Sequence, residues 1–352
     1  MSANVHRTAQ TERNRPWLRF GLAFLFIFLG FLIVLALTTP LLDPVQRWFA
    51  APVSFSVADG AFTAQGDALF CAGETALWRY AADGSAAEYP ADFSAPRFRR
   101  SGEQLLVFDE AGRSFALLRE TPQPLAADGA LFDAAVAENG GYALLFDTAD
   151  CRAVLEVYDP TGALRFRYRA KTAFLNTCAL SPDASLAAVT ALGERGLAFE
   201  STLCLYRCDS EDAPLTWPLD GMPYACGFLS GEALYVAGSE GVSLYRTDGT
   251  PLLTLPDSRL LAQGENALLT AKDDTVQLYD ADGALLAAVT VETEPTGAAL
   301  CGEYLALQFE ASLRVYTRDF RLCGQTEAEG FCLREDGTVW CINARTAARW
   351  IP

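Results

Sequence analysis

Histidine sets the first limit on what this chain can do. His6 is its only histidine. Beyond residue 6 a Ser-His-Asp triad, a His-Glu-x-x-His zinc site and a His-assisted cysteine nucleophile are therefore excluded. Carboxylates remain, with 44 Asp and Glu against 27 Lys and Arg. A pair of them suffices for glycoside hydrolysis. Most, however, sit in turns: Asp59, Asp83, Asp128, Asp220, Asp248 and Asp336 each precede a glycine. No catalytic residue is assigned. Asp280-Ala-Asp282-Gly283 and Asp209-Ser-Glu-Asp212 offer too few oxygens at a recognised spacing for calcium, which takes about six to eight. No metal ligand and no cofactor is expected.

Ten cysteines are the next candidates. Zinc pairs of the Cys-x-x-Cys type are absent, which leaves disulfides or buried thiols. In Cys332-Leu-Arg-Glu-Asp-Gly-Thr-Val-Trp-Cys341, a two-residue Asp336-Gly337 turn makes Cys332 and Cys341 direct cross-strand neighbours, the expected disulfide. Cys178 and Cys226 occupy matching places in the first strands of consecutive repeats. The candidate binding loop is the insertion from Leu192 to Ser201, with Arg195, Phe199 and Glu200, since long loops on a rigid scaffold are where binding resides. A tolerated surface insertion is the alternative.

These residues are carried by a repeat. Leu77-Trp-Arg-Tyr80 runs into Ala-Ala-Asp-Gly84, Val242-Ser-Leu-Tyr245 into Arg-Thr-Asp-Gly249, and Val276-Gln-Leu-Tyr279 into Asp-Ala-Asp-Gly283. Looser copies place the key residue at 118, 158, 206, 316 and 350. The eight positions lie 38, 40, 48, 39, 34, 37 and 34 residues apart. A period of about 35–50 residues built of short alternating strands is the signature of propeller blades. The fold class is thus all-β, an eight-bladed β-propeller, with seven blades as the alternative. The last unit supplies only three strands before the chain ends. Val53-Ser-Phe-Ser-Val57 has strand alternation and is expected to complete that blade, because an unpaired edge would invite aggregation.

Phe20 to Leu37 is eighteen residues without a charge, long enough to cross a bilayer. Trp17 and Trp48-Phe49 flank it as interfacial aromatics. Arg7, Arg13, Arg15 and Arg19 against Glu12 give residues 1–40 a net +3, so residues 41–352 carry −20 of the total −17. The basic side stays cytoplasmic and the propeller is expected outside. The division is a tail at 1–15, an anchor at 16–42, a linker at 43–52 and a propeller at 53–352. A cleaved signal peptide with Val34-Leu-Ala36 as its site is the competing reading. An acidic propeller with two lysines, Lys171 and Lys272, excludes nucleic acid as a partner.

Val157-Tyr-Asp-Pro-Thr-Gly162 and Leu278-Tyr-Asp-Ala-Asp-Gly283 resemble the repeats of quinoprotein-type (PQQ-like) propellers. Leu180-Ser-Pro-Asp183 is similar to a turn of WD-like and TolB-like propellers. The layout of basic tail, single anchor and degenerate propeller, over roughly residues 15–352, resembles a family of bacterial membrane-anchored propeller proteins. The resemblance implies a fold and no settled activity. The Gly-His and Trp-Asp pairs of WD repeats are missing, as is the tryptophan docking signature of quinoprotein blades, so quinone binding is not carried over.

The leading expectation is a membrane-tethered extracytoplasmic scaffold. Its partner would be an envelope protein or surface ligand, and Phe20–Leu37 would meet the bilayer. A face with exposed Phe, Tyr or Arg would favour it. Carboxylates converging on the channel mouth would favour an enzyme acting on surface saccharide. An aromatic-lined channel would favour a small-molecule sensor.

Overall fold

The computed structural model describes residues 54–352 apart from 120, 196, 197 and 311. The segment Phe20–Leu37, the tail and the linker lie outside the described residues. Among the described residues no helix is long and apolar enough to cross a membrane. The described chain forms thirty-two strands, β1 to β32 in chain order, arranged as eight four-stranded antiparallel sheets.

Blade 1 is β2 to β5 (Ala61–Gln65, Ala68–Ala72, Ala76–Tyr80, Ala86–Pro90), and blades 2 to 7 follow in groups of four. The eighth blade breaks this rule. Its strands are β30 (Gly330–Leu333), β31 (Val339–Asn343) and β32 (Thr346–Trp350), and the outer place is taken by β1 (Ser54–Ser56). Ser54 pairs with Ala348, Phe55 with Ala347 and Ser56 with Thr346. Phe55 then stacks on Tyr80 of blade 1 at 5.4 Å between ring centroids and meets Trp340 edge-on at 5.3 Å. The N-terminal strand therefore supplies a backbone ladder and an aromatic bolt between blades 8 and 1.

The core lies between blades. Leu145, Leu155 and Val157 of blade 3 pack on Leu175, Val189 and Tyr206 of blade 4. The same arrangement recurs around the ring, with Leu69, Cys71 and Tyr80 of blade 1 against Cys332, Trp340 and Ile342 of blade 8. Strand alternation explains it: every blade but the outer strands is apolar on both faces. First strands of successive blades touch around the axis, and β2 touches both β30 and β6 (Pro96–Ser101).

Because strands alternate in direction, the turns joining strands one to two and three to four emerge on one face, here the turn face. The other connections emerge on the opposite face. The Asp-Gly turns on the turn face are one residue longer than the sequence implies. In blade 8 the Arg334 N–H donates to the Thr338 carbonyl at 3.0 Å, and the Gly337 N–H to the Arg334 carbonyl at 3.0 Å. Gly337 takes φ +79°. This is a three-residue loop, a type I turn closed by a left-handed residue, rather than a two-residue hairpin turn. Gly84, Gly162, Gly249 and Gly283 close the same loop with φ between +82° and +89°.

The extra residue corrects the expected disulfide. Cys332 lies opposite Trp340, and Cys341 opposite Phe331. A slip of one residue sends two side chains to opposite faces of a sheet. Cys332 accordingly packs toward blade 1 and Cys341 toward blade 7, beside Leu313 and Val315. Both thiols are free, as are the other eight.

Candidate functional site

The sequence residues Arg195, Phe199 and Glu200 sit on the hairpin of β15 (Leu186–Arg195) and β16 (Ala198–Arg207), the two longest strands described. β14 (Phe174–Leu180) accompanies β15 only as far as the pair Phe174–Leu192. β17 (Leu215–Leu219) accompanies β16 only from the pair Ser201–Leu219. Beyond those points Gly193, Glu194 and Arg195 pair only with Glu200, Phe199 and Ala198. The hairpin therefore projects as a two-stranded tip from the face opposite the turn face. Phe199 is 75% exposed on this tip. Glu200 follows it and points to the other side of the ribbon.

Sequence reasoning missed the base of the tip. Phe174, Met222 and Tyr224 are each about half exposed. The Ser201 hydroxyl donates to the Gly221 carbonyl at 2.6 Å, tying the hairpin to the connection that carries Met222. The Asn176 amide donates to the Pro223 carbonyl at 2.6 Å and ties β14 to β18 (Pro223–Phe228). The Arg152 guanidinium lies 4.4 Å from the Phe174 ring centroid. Four large apolar side chains are thus held on hydrogen-bonded supports at one end of blades 4 and 5. The available signal was faint: Phe174 opens a first strand where five other blades place proline, glycine or arginine, but Ala61 and Leu131 open first strands as well.

The second feature is the axial channel. It widens into a funnel of about 630 Å³ open to the turn face. Arg99 donates to Asp133 at 2.6 Å near its floor. The same carboxylate accepts the backbone N–H groups of Ala134 and Cys178, both at 2.9 Å. Burial raises the Asp133 pKa from the ordinary carboxylate value, opposed by Arg99 and the two N–H donors. All three of these hydrogen bonds come from the fold itself. Glu138, Glu265, Glu303 and Glu335 line the mouth, with Glu335 tied to Arg100 at 3.0 Å.

The channel thiols are not poised for chemistry. Cys226 accepts the Thr177 hydroxyl at 3.1 Å, and burial pushes its pKa up to about 12. Burial likewise raises Cys178 well above the ordinary thiol value. A reactive cysteine needs the reverse shift. Asp280, read as a poor calcium ligand, accepts the N–H groups of Asp282 and Ala284 in its own turn. Among the described residues no group of three His, Cys, Asp or Glu side chains is placed to hold a metal ion.

No family model matches the chain, and no curated protein matches it. Solved structures do. BamB from Moraxella catarrhalis is 14% identical over 86% of this chain and 98% of its own, with a TM-score of 0.54. The C-terminal WD40 domain of Sif2 is 11% identical over 85% of this chain and 99% of its own, with a TM-score of 0.58. At these identities the likeness shows the fold, a β-propeller, and nothing finer.

Proposed function

We propose that this chain is a membrane-tethered extracytoplasmic propeller that binds another protein of the cell envelope through the face carrying the β15–β16 tip. One observation carries the reading. Phe199, exposed on an unsupported two-stranded tip, lies at the same end of blades 4 and 5 as half-exposed Phe174, Met222 and Tyr224. Exposed aromatic anchors on a rigid support are what a protein interface uses for affinity. The propeller likeness to BamB and to a WD40 domain is consistent with a scaffold role. Tethering rests on the uncharged run Phe20–Leu37, and the outside placement on the arginines before it.

A photo-cross-linking residue at position 199, in cells carrying the full-length chain, tests the docking face. A discrete protein adduct is expected from 199 and none from Leu285, an exposed apolar residue on an outer strand. Equal adducts at both positions, or none at 199, would overturn the docking face.

The glutamates around the channel mouth favour a second reading, carboxylate chemistry on a saccharide. Turnover of a cell-surface glycan that Glu138→Gln or Glu303→Gln abolishes would establish it in place of the first.

A further inference from the structure

Blade 2 departs from the repeat at one place, and a cleft opens there. In blades 1, 3, 5, 6 and 7 the third strand passes to the fourth through the compact turn described above, whose aspartate is consumed by its own backbone: Asp159 accepts the N–H groups of Thr161 and Ala163, and Asp248 that of Thr250. Blade 2 has no such turn, and neither has blade 4, which crosses by residues 208–214. Its third strand, β8 (Ser114–Leu117), and its two-residue fourth strand, β9 (Leu125–Ala126), are joined by residues 118–124, with Pro122 and Pro124. The cleft on the turn face over blades 1 and 2 has a volume of about 620 Å³, within the range of small-molecule sites.

Four arginines line it, in a propeller that is otherwise strongly acidic: Arg79, Arg100, Arg119 and Arg334. Two are neutralised. Arg100 pairs with Glu335 at 3.0 Å, and Arg334 with Asp67 at 2.5 Å and Asp336 at 3.4 Å. The other two are not. Arg119 donates to the Pro160 carbonyl at 2.9 Å and has no carboxylate partner among the described residues. Arg79, half-buried on the third strand of blade 1, has neither hydrogen bond nor ion pair among them. Glu103 is the remaining carboxylate on the lining. Over the described lining four guanidiniums meet four carboxylates, but the pairing is uneven: Asp67, Glu335 and Asp336 are turned to Arg100 and Arg334, which leaves Arg79 and Arg119 without a carboxylate partner among the described residues.

We propose that this cleft is an anion-binding site in which Arg79 and Arg119 take a carboxylate or phosphate group of a small ligand. A guanidinium offers a planar fork of donors that matches both groups. The neutralised pair Arg100 and Arg334 anchors the walls by bridging blades 1, 2 and 8, so the free pair sits on a fixed frame. The site lies on the face opposite the β15–β16 tip and does not depend on the docking proposal.

Isothermal titration of the full-length chain with citrate and with inorganic phosphate, at ionic strength matched by chloride, tests it. Saturable binding of at least one anion is expected, and which one binds identifies the group. Arg79→Gln and Arg119→Gln should each weaken it by about tenfold or more. Arg246→Gln, an exposed arginine on blade 5, should leave it unchanged. Arg119 is exposed, so its loss of binding is readable without a loss of fold. Binding of neither anion, or binding that survives both substitutions, overturns the site.

Discussion

At the scale of single residues, the thiols and one ion pair show what the interior enforces. Burial lifts Cys71, Cys208, Cys226 and Cys332 from 9.0 to about 12, and Cys341 to about 11. The native state thus holds these protons more tightly than the unfolded chain. The stability they contribute is complete below about pH 9 and is lost as pH rises toward about 12. Each withdraws up to about 1.4 kcal/mol per pH unit in that window. The urea midpoint should therefore hold to about pH 9 and fall steeply between about pH 9 and pH 11, and a midpoint that does not move would show that the thiols ionise in place. The buried partner of Arg99 gives a second expectation. Arg99→Leu strands the Asp133 carboxylate, but Arg99 is nearly half exposed, so the loss should be about 1–2 kcal/mol rather than that of a fully buried pair. In a double-mutant cycle with Asp133→Asn the two losses should fall short of additive by about 1 kcal/mol. Additive losses would mean the pair is uncoupled. The pair was not legible in the chain, because it depends on which first strands meet around the axis; buried thiols were one of the two readings the cysteines allowed.

Elements carry the next level. Phe55 is partly buried between two aromatic rings, so Phe55→Ala should cost about 2–3 kcal/mol, read as a lowered melting temperature. Phe199→Ser should leave the melting temperature unchanged, since the ring contacts solvent. A destabilised Phe199→Ser protein would place that ring in the core. Turn chemistry explains where sequence reading faltered. Asp336-Gly337 correctly marked a reversal, because glycine takes the positive φ that the loop needs. It could not distinguish a two-residue from a three-residue loop, since both want glycine at the same end, and that single residue moved Cys332 and Cys341 to opposite faces. Gly337→Ala should cost at least about 1 kcal/mol from its backbone alone, and its Cβ would stand 2.8 Å from the Tyr304 ring. An unfolding transition that does not move would rule out the loop geometry.

At the scale of the whole molecule, the repeat made the eight blades readable despite the low identity to known propellers. Each blade restates one pattern, a key aromatic and a turn, so weak signals at single positions add around the ring. Function was less readable for the same reason: a repeat advertises its sameness, and the sites lie where it lapses. The overlong hairpin of blade 4 was visible as the 48-residue interval. The missing turn of blade 2 was not, because a loop of 118–124 leaves the spacing at 40. Topology is open to direct measurement. Protease added to intact cells should digest residues 50–352, and full protection would reverse the proposed orientation.

The closing strand has a consequence in time. Ser54 finds its partner Ala348 about 290 residues later. At a synthesis rate of roughly 5–20 residues per second, that is a wait of about 15–60 s. Through that interval the seven contiguous blades can mature as each is completed, while β1 and the inner edge of blade 1 stay without their neighbours. The ring is a circle only after its last strand leaves the ribosome. Among the described residues the joint sealed last is held by three residue pairs on its outer strand, fewer than any outer strand except the two-residue β9 of blade 2, so native-state hydrogen exchange should report early opening at blade 8.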